Sequence, residues 1–288
     1  MKTGSFVYTS VFGVIILCFV LMPFVFGEDV STNVTITGAA PTVGTVSGSD
    51  NVDLSSCGTT VVQCGAVITD ANGYNDVQQV NATIWDASAA VEGDSDNYNT
   101  HYTNLTCVLS GGSGSNVNAN CSFTFQYYAN PSNWTCKVYA NDSTGNIASG
   151  TIDNRTINTL RALDAENIIN FNSLAPGGTS TDDVNNTLTN CGNVALDLNL
   201  NGTNLTNVSA SVANITVSNI KYNVTYPGSD YTVNMTSLSA SPTYANFSLV
   251  KRTTIVSTGK TYWKISIPSS IEKLIYSGTI TFLAAADT

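Results

Sequence analysis

Charge is scarce in this sequence. Lys and Arg number 10 and Asp and Glu 20 among 288 residues, 10% in all, against roughly 25% in an average soluble domain. The balance is acidic, with a formal net charge of −10, and a chain without basic stripes is excluded from binding phosphate backbones. Histidine is scarcer still. His101 is alone in the chain, so a histidine-based triad has one possible base, and no Gly-x-Ser-x-Gly, His-Glu-x-x-His or phosphate-cradling glycine loop accompanies it. Beside Tyr102 in a polar stretch, His101 reads as surface or turn packing. Carboxylates stand singly on turns, with no pair placed for glycosidic cleavage. Helical periodicity is missing outside the N-terminal segment, although Ala162–Asn167 has the composition for one turn. Near Ala284-Ala285-Ala286-Asp287-Thr288 no long apolar run occurs, so no C-terminal anchor is expected.

What is present is apolar and uncharged. An apolar fraction of 42% with 13 Tyr, 10 Phe and 3 Trp is ample for a packed core and excludes a disordered chain. The missing polarity is supplied by 33 Asn and 69 Ser plus Thr, a composition suited to strands, turns and a surface wetted by amides and hydroxyls. The length fits one large or two medium domains once a targeting segment is subtracted.

Lys2 precedes an apolar run from Phe6 to Phe26, and Val25-Phe26-Gly27 leads into Glu28-Asp29. This reads as a secretory signal peptide over residues 1–27, cleaved after Gly27, with the helix breaker Pro23 just before the cut. Two other readings stay open: an uncleaved membrane anchor, for which Val11–Phe26 is somewhat short, and a prepilin-type leader cut after Gly4. Cys18 lies inside the apolar run without small residues before it, so it is no lipid-attachment site.

Beyond the leader six cysteines remain, Cys57, Cys64, Cys107, Cys121, Cys136 and Cys191. An even number in an exported chain predicts disulfides, with 15 pairings possible. No CxxC spacing favours zinc. Fifteen Asn-x-Ser/Thr sequons agree with export. The glycosylation candidates are Asn33, Asn81, Asn104, Asn141, Asn154, Asn185, Asn201, Asn204, Asn207, Asn214, Asn223, Asn234 and Asn246; Asn120 and Asn133 adjoin cysteines.

The apolar period is two almost everywhere. Val62 to Ile68 alternates and ends in the turn Asp70-Ala71-Asn72-Gly73; Val77–Trp85 follows. Leu105–Leu109 and Cys121–Tyr127 flank a Gly/Ser/Asn loop as a hairpin. Trp134–Ala140 precedes the turn Asp142-Ser143-Thr144-Gly145, and Ala148–Ile157 closes the unit. After Leu160–Phe171, strands are predicted at Leu196–Leu200, Ile215–Val224, Tyr244–Val250, Thr261–Ile267 and Ser277–Leu283, at sandwich spacing. The fold class is therefore all-β, two β-sandwich domains over residues 28–157 and 158–288 after an N-terminal signal helix. The short linker near Thr156–Leu160 implies a limited hinge.

The segments Val61–Tyr74, His101–Cys107 and Trp134–Asp142 resemble immunoglobulin-like domains of secreted archaeal cell-surface proteins, over about residues 40–155. Thr189–Leu198, Tyr262–Pro268 and Tyr276–Phe282 are similar to C-terminal β-sandwich modules of the same kind of protein. The resemblance implies that Cys64 and Cys136 stand at the positions bonded between strands B and F, with Trp85 or Trp134 packed nearby. Cys107 and Cys121 then pair across the hairpin. In the chain-entropy argument the long loop contributes roughly 4 and the short one roughly 3 kcal/mol. Cys57 and Cys191 are left over, to bond across the two domains or stay free. The related modules usually carry a small residue where Cys191 stands, which singles that position out.

Calcium is the one cofactor the residues suggest. Asp94, Asp96, Asn97 and Asn99, with Glu92, cluster in one loop, and Asp70 and Asp142 sit at turns where oxygen ligands could converge. The loop departs from an EF-hand: Tyr98 stands at a ligand position and no Gly follows it. The competing reading is a solvated acidic loop. Trp85, Trp134 and Trp263 are expected in cores, and Tyr98, Tyr127 and Tyr128 as exposed contacts. The sequence thus predicts a non-enzymatic exported protein of the cell surface, structural or adhesive, glycosylated and disulfide-stabilised. Its expected partners are cell-surface proteins or glycans, with a membrane touched only through an uncleaved N-terminal segment. The alternatives are a pilin-like filament subunit using residues 5–26 as a stem, and a carbohydrate-binding module.

Overall fold

The computed structural model describes residues 27–207, 213–225 and 230–288. The predicted leader helix and the stem at residues 5–26 lie outside them. Residues 27–37 form no strand or helix and are exposed, Val30, Val34 and Ile36 included. From Gly38 onward the chain is one compact unit.

Among the described residues there is no α-helix. Nine strands surround a first core: β1 Thr42–Val43, β2 Ser47–Gly48, β3 Thr59–Thr69, β4 Val77–Asp86, β5 His101–Asn104, β6 Val108–Ser113, β7 Asn116–Gln126, β8 Asn133–Asp142 and β9 Ile147–Thr156. Eight surround a second: β10 Leu163–Ala165, β11 Val184–Asn190, β12 Leu196–Gly202, β13 Ile220–Asn223, β14 Thr236–Ser237, β15 Thr243–Leu249, β16 Thr258–Ile265 and β17 Ile280–Ala286.

The first core lies between a sheet of order β1-β3-β7-β6, with β2 also on β3, and a sheet of order β5-β4-β8-β9. In immunoglobulin lettering these are A-B-E-D and C′-C-F-G. β3, β4, β7 and β8 each bury alternate residues, the period-two signature of half-buried strands. Between the sheets pack Val62, Ile68, Ile84, Phe125, Trp134 and Val138, all buried. Trp134, not the half-buried Trp85, is the core tryptophan. It lies 4.8 Å from the Phe125 ring, which stacks on Tyr102 at 4.1 Å. Trp134 stands two residues before Cys136 and donates its indole N–H to Asn130 O four residues upstream, 3.0 Å. That is the place and role of the tyrosine corner of immunoglobulin domains, filled by tryptophan.

The second core lies between sheets of order β10-β11-β16-β13-β14 and β15-β12-β17. Leu188, Leu196, Leu198, Leu200, Ile220 and Trp263 fill it. The Trp263 N–H is satisfied by Thr261 Oγ1 at 2.9 Å. Among the described residues β17 pairs with β12 on one side and with no strand on the other.

The two cores are tied at their junction. Cys57 and Cys191 are disulfide-bonded, and the buried Asn193 accepts from Leu160 N–H (2.7 Å) while donating to Asn158 O (2.9 Å). The β15–β16 connection also reaches the first core. Lys251 Nζ donates to Asn130 Oδ1, the Arg252 guanidinium lies 4.6 Å over the Tyr128 ring, and Asn99 Nδ2 donates to Thr253 O at 2.7 Å. Tyr127 and Tyr128 are accordingly buried, set edge to face at 5.1 Å, and not exposed contacts. Tyr98 is exposed, as expected.

Several strand expectations change. The strand expected at Ile215–Val224 is reduced to β13, because Val217–Asn219 forms a 3-10 turn. The strand expected at Leu105–Leu109 is split, because Cys107 turns in to bond Cys121 between β5 and β6. Leu160–Phe171 holds only the short β10, and Ala162–Asn167 forms no helical turn. β11 carries no apolar alternation and escaped the sequence reading. Its inward positions include Asn186 and Asn190, buried and bonded to backbone carbonyls.

Candidate functional site

At the end of the first core away from the junction, two turns converge. β3 runs out into Asp70-Ala71-Asn72-Gly73 and β8 into Asp142-Ser143-Thr144-Gly145, each closed by a glycine at positive φ, 109° and 87°. Each turn is organised by its aspartate. Asp70 Oδ1 accepts Asn72 N–H at 2.8 Å. Asp142 Oδ1 accepts Thr144 N–H (2.9 Å), Thr144 Oγ1–H (3.0 Å) and Asn146 N–H (2.8 Å), and Oδ2 accepts Asn146 Nδ2–H (2.8 Å). These are Asx turns, in which the side chain stands in for a backbone acceptor. Burial pushes the Asp142 carboxyl up, but these hydrogen bonds outweigh it and hold its pKa below the ordinary value.

A third carboxylate joins them. Asp76 ends the single 3-10 turn Tyr74–Asp76 before β4. Its backbone oxygen accepts Ser143 N–H at 2.9 Å and its carboxylate accepts the Ser143 hydroxyl, which ties the two turns together. One carboxylate oxygen each from Asp70, Asp76 and Asp142 lies within 4.8 Å of the others. Asp70 and Asp142 are buried and Asp76 half-buried. Oxygens alone suit a hard cation such as calcium or magnesium.

The structure engages the four loop residues read as calcium ligands with other partners, most of them within the loop. Asp94 Oδ2 accepts Val91 N–H, and Asn97 Oδ1 accepts the N–H groups of Asn99 and Thr100. Asn99 spends its amide N–H on Asn97 O and Thr253 O. Asp96 accepts from Thr103 N–H and its hydroxyl, and meets His101 Nδ1 at 2.8 Å. His101 is therefore not at the surface. It lies buried on β5, with Nε2 3.1 Å from Glu92 O, and serves as an internal strut of this loop. Glu92 in turn receives Lys137 Nζ at 2.8 Å.

The structure brings all six cysteines together in pairs, Cys64 with Cys136 between the sheets, Cys107 with Cys121 beside β6, and Cys57 with Cys191. None of the fifteen sequon asparagines is buried. Asn33, Asn154, Asn185, Asn204, Asn214, Asn234 and Asn246 are exposed; Asn81, Asn104, Asn141, Asn201, Asn207 and Asn223 are half-buried. In the second core a half-open cleft of about 1160 Å³ lies beside β17, walled by Phe171, Leu174, Ile271, Ile275 and Phe282. Its ionisable groups besides Tyr276 are Glu166, Glu272 and Lys273.

The sequence matches no protein-family model and no curated protein. Among solved structures, the chain is similar to latent PorU from Porphyromonas gingivalis at 13% identity and a TM-score of 0.28, over 88% of this chain and 20% of that one. It spans a fifth of the PorU chain. It is also similar to the C-terminal domain of the AgI/II polypeptide BspA of Streptococcus agalactiae (9%, TM-score 0.23, 85% and 95% covered). A carbohydrate-binding module of the β-sandwich superfamily gives 10% identity and a TM-score of 0.22, with 88% and 99% covered.

Proposed function

We propose that the chain is an exported cell-surface protein, structural or adhesive, that works without turnover. The observation that carries this is the pairing of Cys57, Cys64, Cys107, Cys121, Cys136 and Cys191 in three disulfides. Such bonds form and persist where the medium is oxidising. The sequons support the same address, since all fifteen asparagines lie off the interior, where glycans can be carried. Rigid sandwiches hold loops at fixed spacing, glycans cover strand edges that would otherwise pair, and the partners are surface proteins or glycans. The resemblance to secreted archaeal surface proteins adds the cell type.

The test is surface labelling of intact cells, followed by peptide mass spectrometry without reduction. The expected result is labelled protein with three linked cysteine pairs and sugar on exposed sequons such as Asn154, Asn185 and Asn246. Asn104 and Asn223, whose Nδ2 groups donate to Ser122 O and Asn234 O, should carry least. Protein found only inside the cell with free thiols would overturn the reading.

A further inference from the structure

We infer that Asp70, Asp76 and Asp142 form a calcium site that clamps the β3–β4 turn to the β8–β9 turn. The site goes beyond the surface-protein reading, which stands whether or not calcium binds.

Burial sets the first constraint. Asp70 is 0% and Asp142 2% exposed. A buried carboxylate has to be paired, neutralised or fully hydrogen-bonded. Among the described residues Lys137 pairs with Glu92 and Lys264 with Asp183, and His101 meets Asp96, so no cationic side chain neutralises the cluster. Asp142 is fully hydrogen-bonded. Asp70 is not: Oδ1 accepts Asn72 N–H, while Oδ2 is buried with no hydrogen-bond partner. An orphaned acceptor within a group of three carboxylates is the arrangement a cation completes.

The spacing of the cluster admits calcium, and the reluctance of magnesium to give up its water shell favours calcium over it. Calcium binds oxygens at 2.3–2.6 Å, so ligands on opposite sides of it stand about 5 Å apart; magnesium at 2.0–2.1 Å draws them to about 4 Å. The three carboxylates already lie within 4.8 Å of one another. Three carboxylates fill part of a shell of six to eight ligands, and water supplies the remainder. Few protein ligands and a partly open site give the weak affinity of extracellular modules, about 10⁻⁴–10⁻³ M.

Binding has a defined structural consequence. Asn72 in the first turn accepts Ala39 N–H at 2.7 Å, and Gly38 packs so closely on Thr144 of the second that a Cβ there would fall 2.6 Å from Thr144 Oγ1. A cation joining the turns therefore also fixes the strand entry at residues 38–39.

The probe is calcium chloride added to the full chain, secreted and stripped with a chelator, read by thermal unfolding and by terbium luminescence. The expected result is a rise in the unfolding midpoint with half-saturation between about 0.1 and 1 mM, and a smaller rise with equal magnesium. Asp70→Asn and Asp76→Asn should each lower affinity at least tenfold. In chelator, Asp70→Asn should unfold no earlier than the parent, because it relieves repulsion and keeps an oxygen for Asn72; a purely structural aspartate would give the opposite. Asp94→Asn, in the 92–101 loop, should bind as the parent does. An absent calcium response, or one lost in Asp94→Asn and kept in Asp70→Asn, overturns the inference.

Discussion

Single polar side chains hold places that apolar ones fill in simpler sandwiches. Asn190 donates its amide to the carbonyls of Val194 (2.9 Å), Leu249 (3.1 Å) and Val250 (3.1 Å) and accepts Gly192 N–H at 2.8 Å. Asn190→Ala leaves these groups unpaired in the interior and should cost about 2–4 kcal/mol, measured as a shift of the urea midpoint at unchanged slope. Asp197 is the carboxylate counterpart on β12. Burial pushes its pKa up, but the Tyr244 hydroxyl and the N–H groups of Ser248 and Phe247 outweigh that and hold it below the ordinary value. Asp86 follows the same pattern, burial opposed by Asn130, Ser88 and Ser132. Carboxylates with folded pKa values below their unfolded ones bind protons more readily in the unfolded chain. Their stabilisation is therefore full at neutral pH and is lost as pH falls from about 4 toward the folded values. Acid titration of the unfolding midpoint should show a flat profile above about pH 5 and a steep fall below it, which Asp197→Asn makes shallower.

Strands were legible where their buried residues are apolar and invisible where they are not. β3, β4, β7, β8 and β12 alternate in the sequence as they do in the structure, whereas β11 buries Asn186 and Asn190 and so reads as a polar loop. Backbone proximity is another constraint that hydrophobic patterning does not show. Gly65 sits in the middle of β3 where a Cβ would stand 2.2 Å from Ala119 O on β7. Gly65→Ala should separate the two strands and destabilise the first core by about 1–3 kcal/mol; faster hydrogen exchange of β3 and β7 amides than of β11 and β16 would mark the effect as local. The carboxylate cluster was half legible. Asp70 and Asp142 each follow a cysteine of the β3–β8 disulfide by six residues, and immunoglobulin topology brings the two turns to one end. Asp76 was missed because it lies across a 3-10 turn whose direction no spacing rule fixes.

At the scale of the whole molecule, the Cys57–Cys191 bond and the contacts of Asn193, Lys251 and Arg252 make the junction a joint of several parts. Replacing both Cys57 and Cys191 by Ser should split a single calorimetric transition into two and raise the radius of gyration in solution scattering. A single sharp transition in the variant would show that the side-chain contacts suffice. The same bond governs how the protein carries a mechanical load. Tension applied at Gly38 and Ala286 enters along the backbone to Cys57, crosses sulfur to sulfur to Cys191 and leaves toward β17. The 133 residues between them (134 − 1) hang on a slack branch, so β3 to β11 carry no load along their backbone, while β1 and β2 lie on the loaded path, and about 450 Å of chain is withheld from extension. With the disulfides reduced that length comes under load, and a short, stiff tether becomes a longer, more compliant one as the sandwich is drawn out.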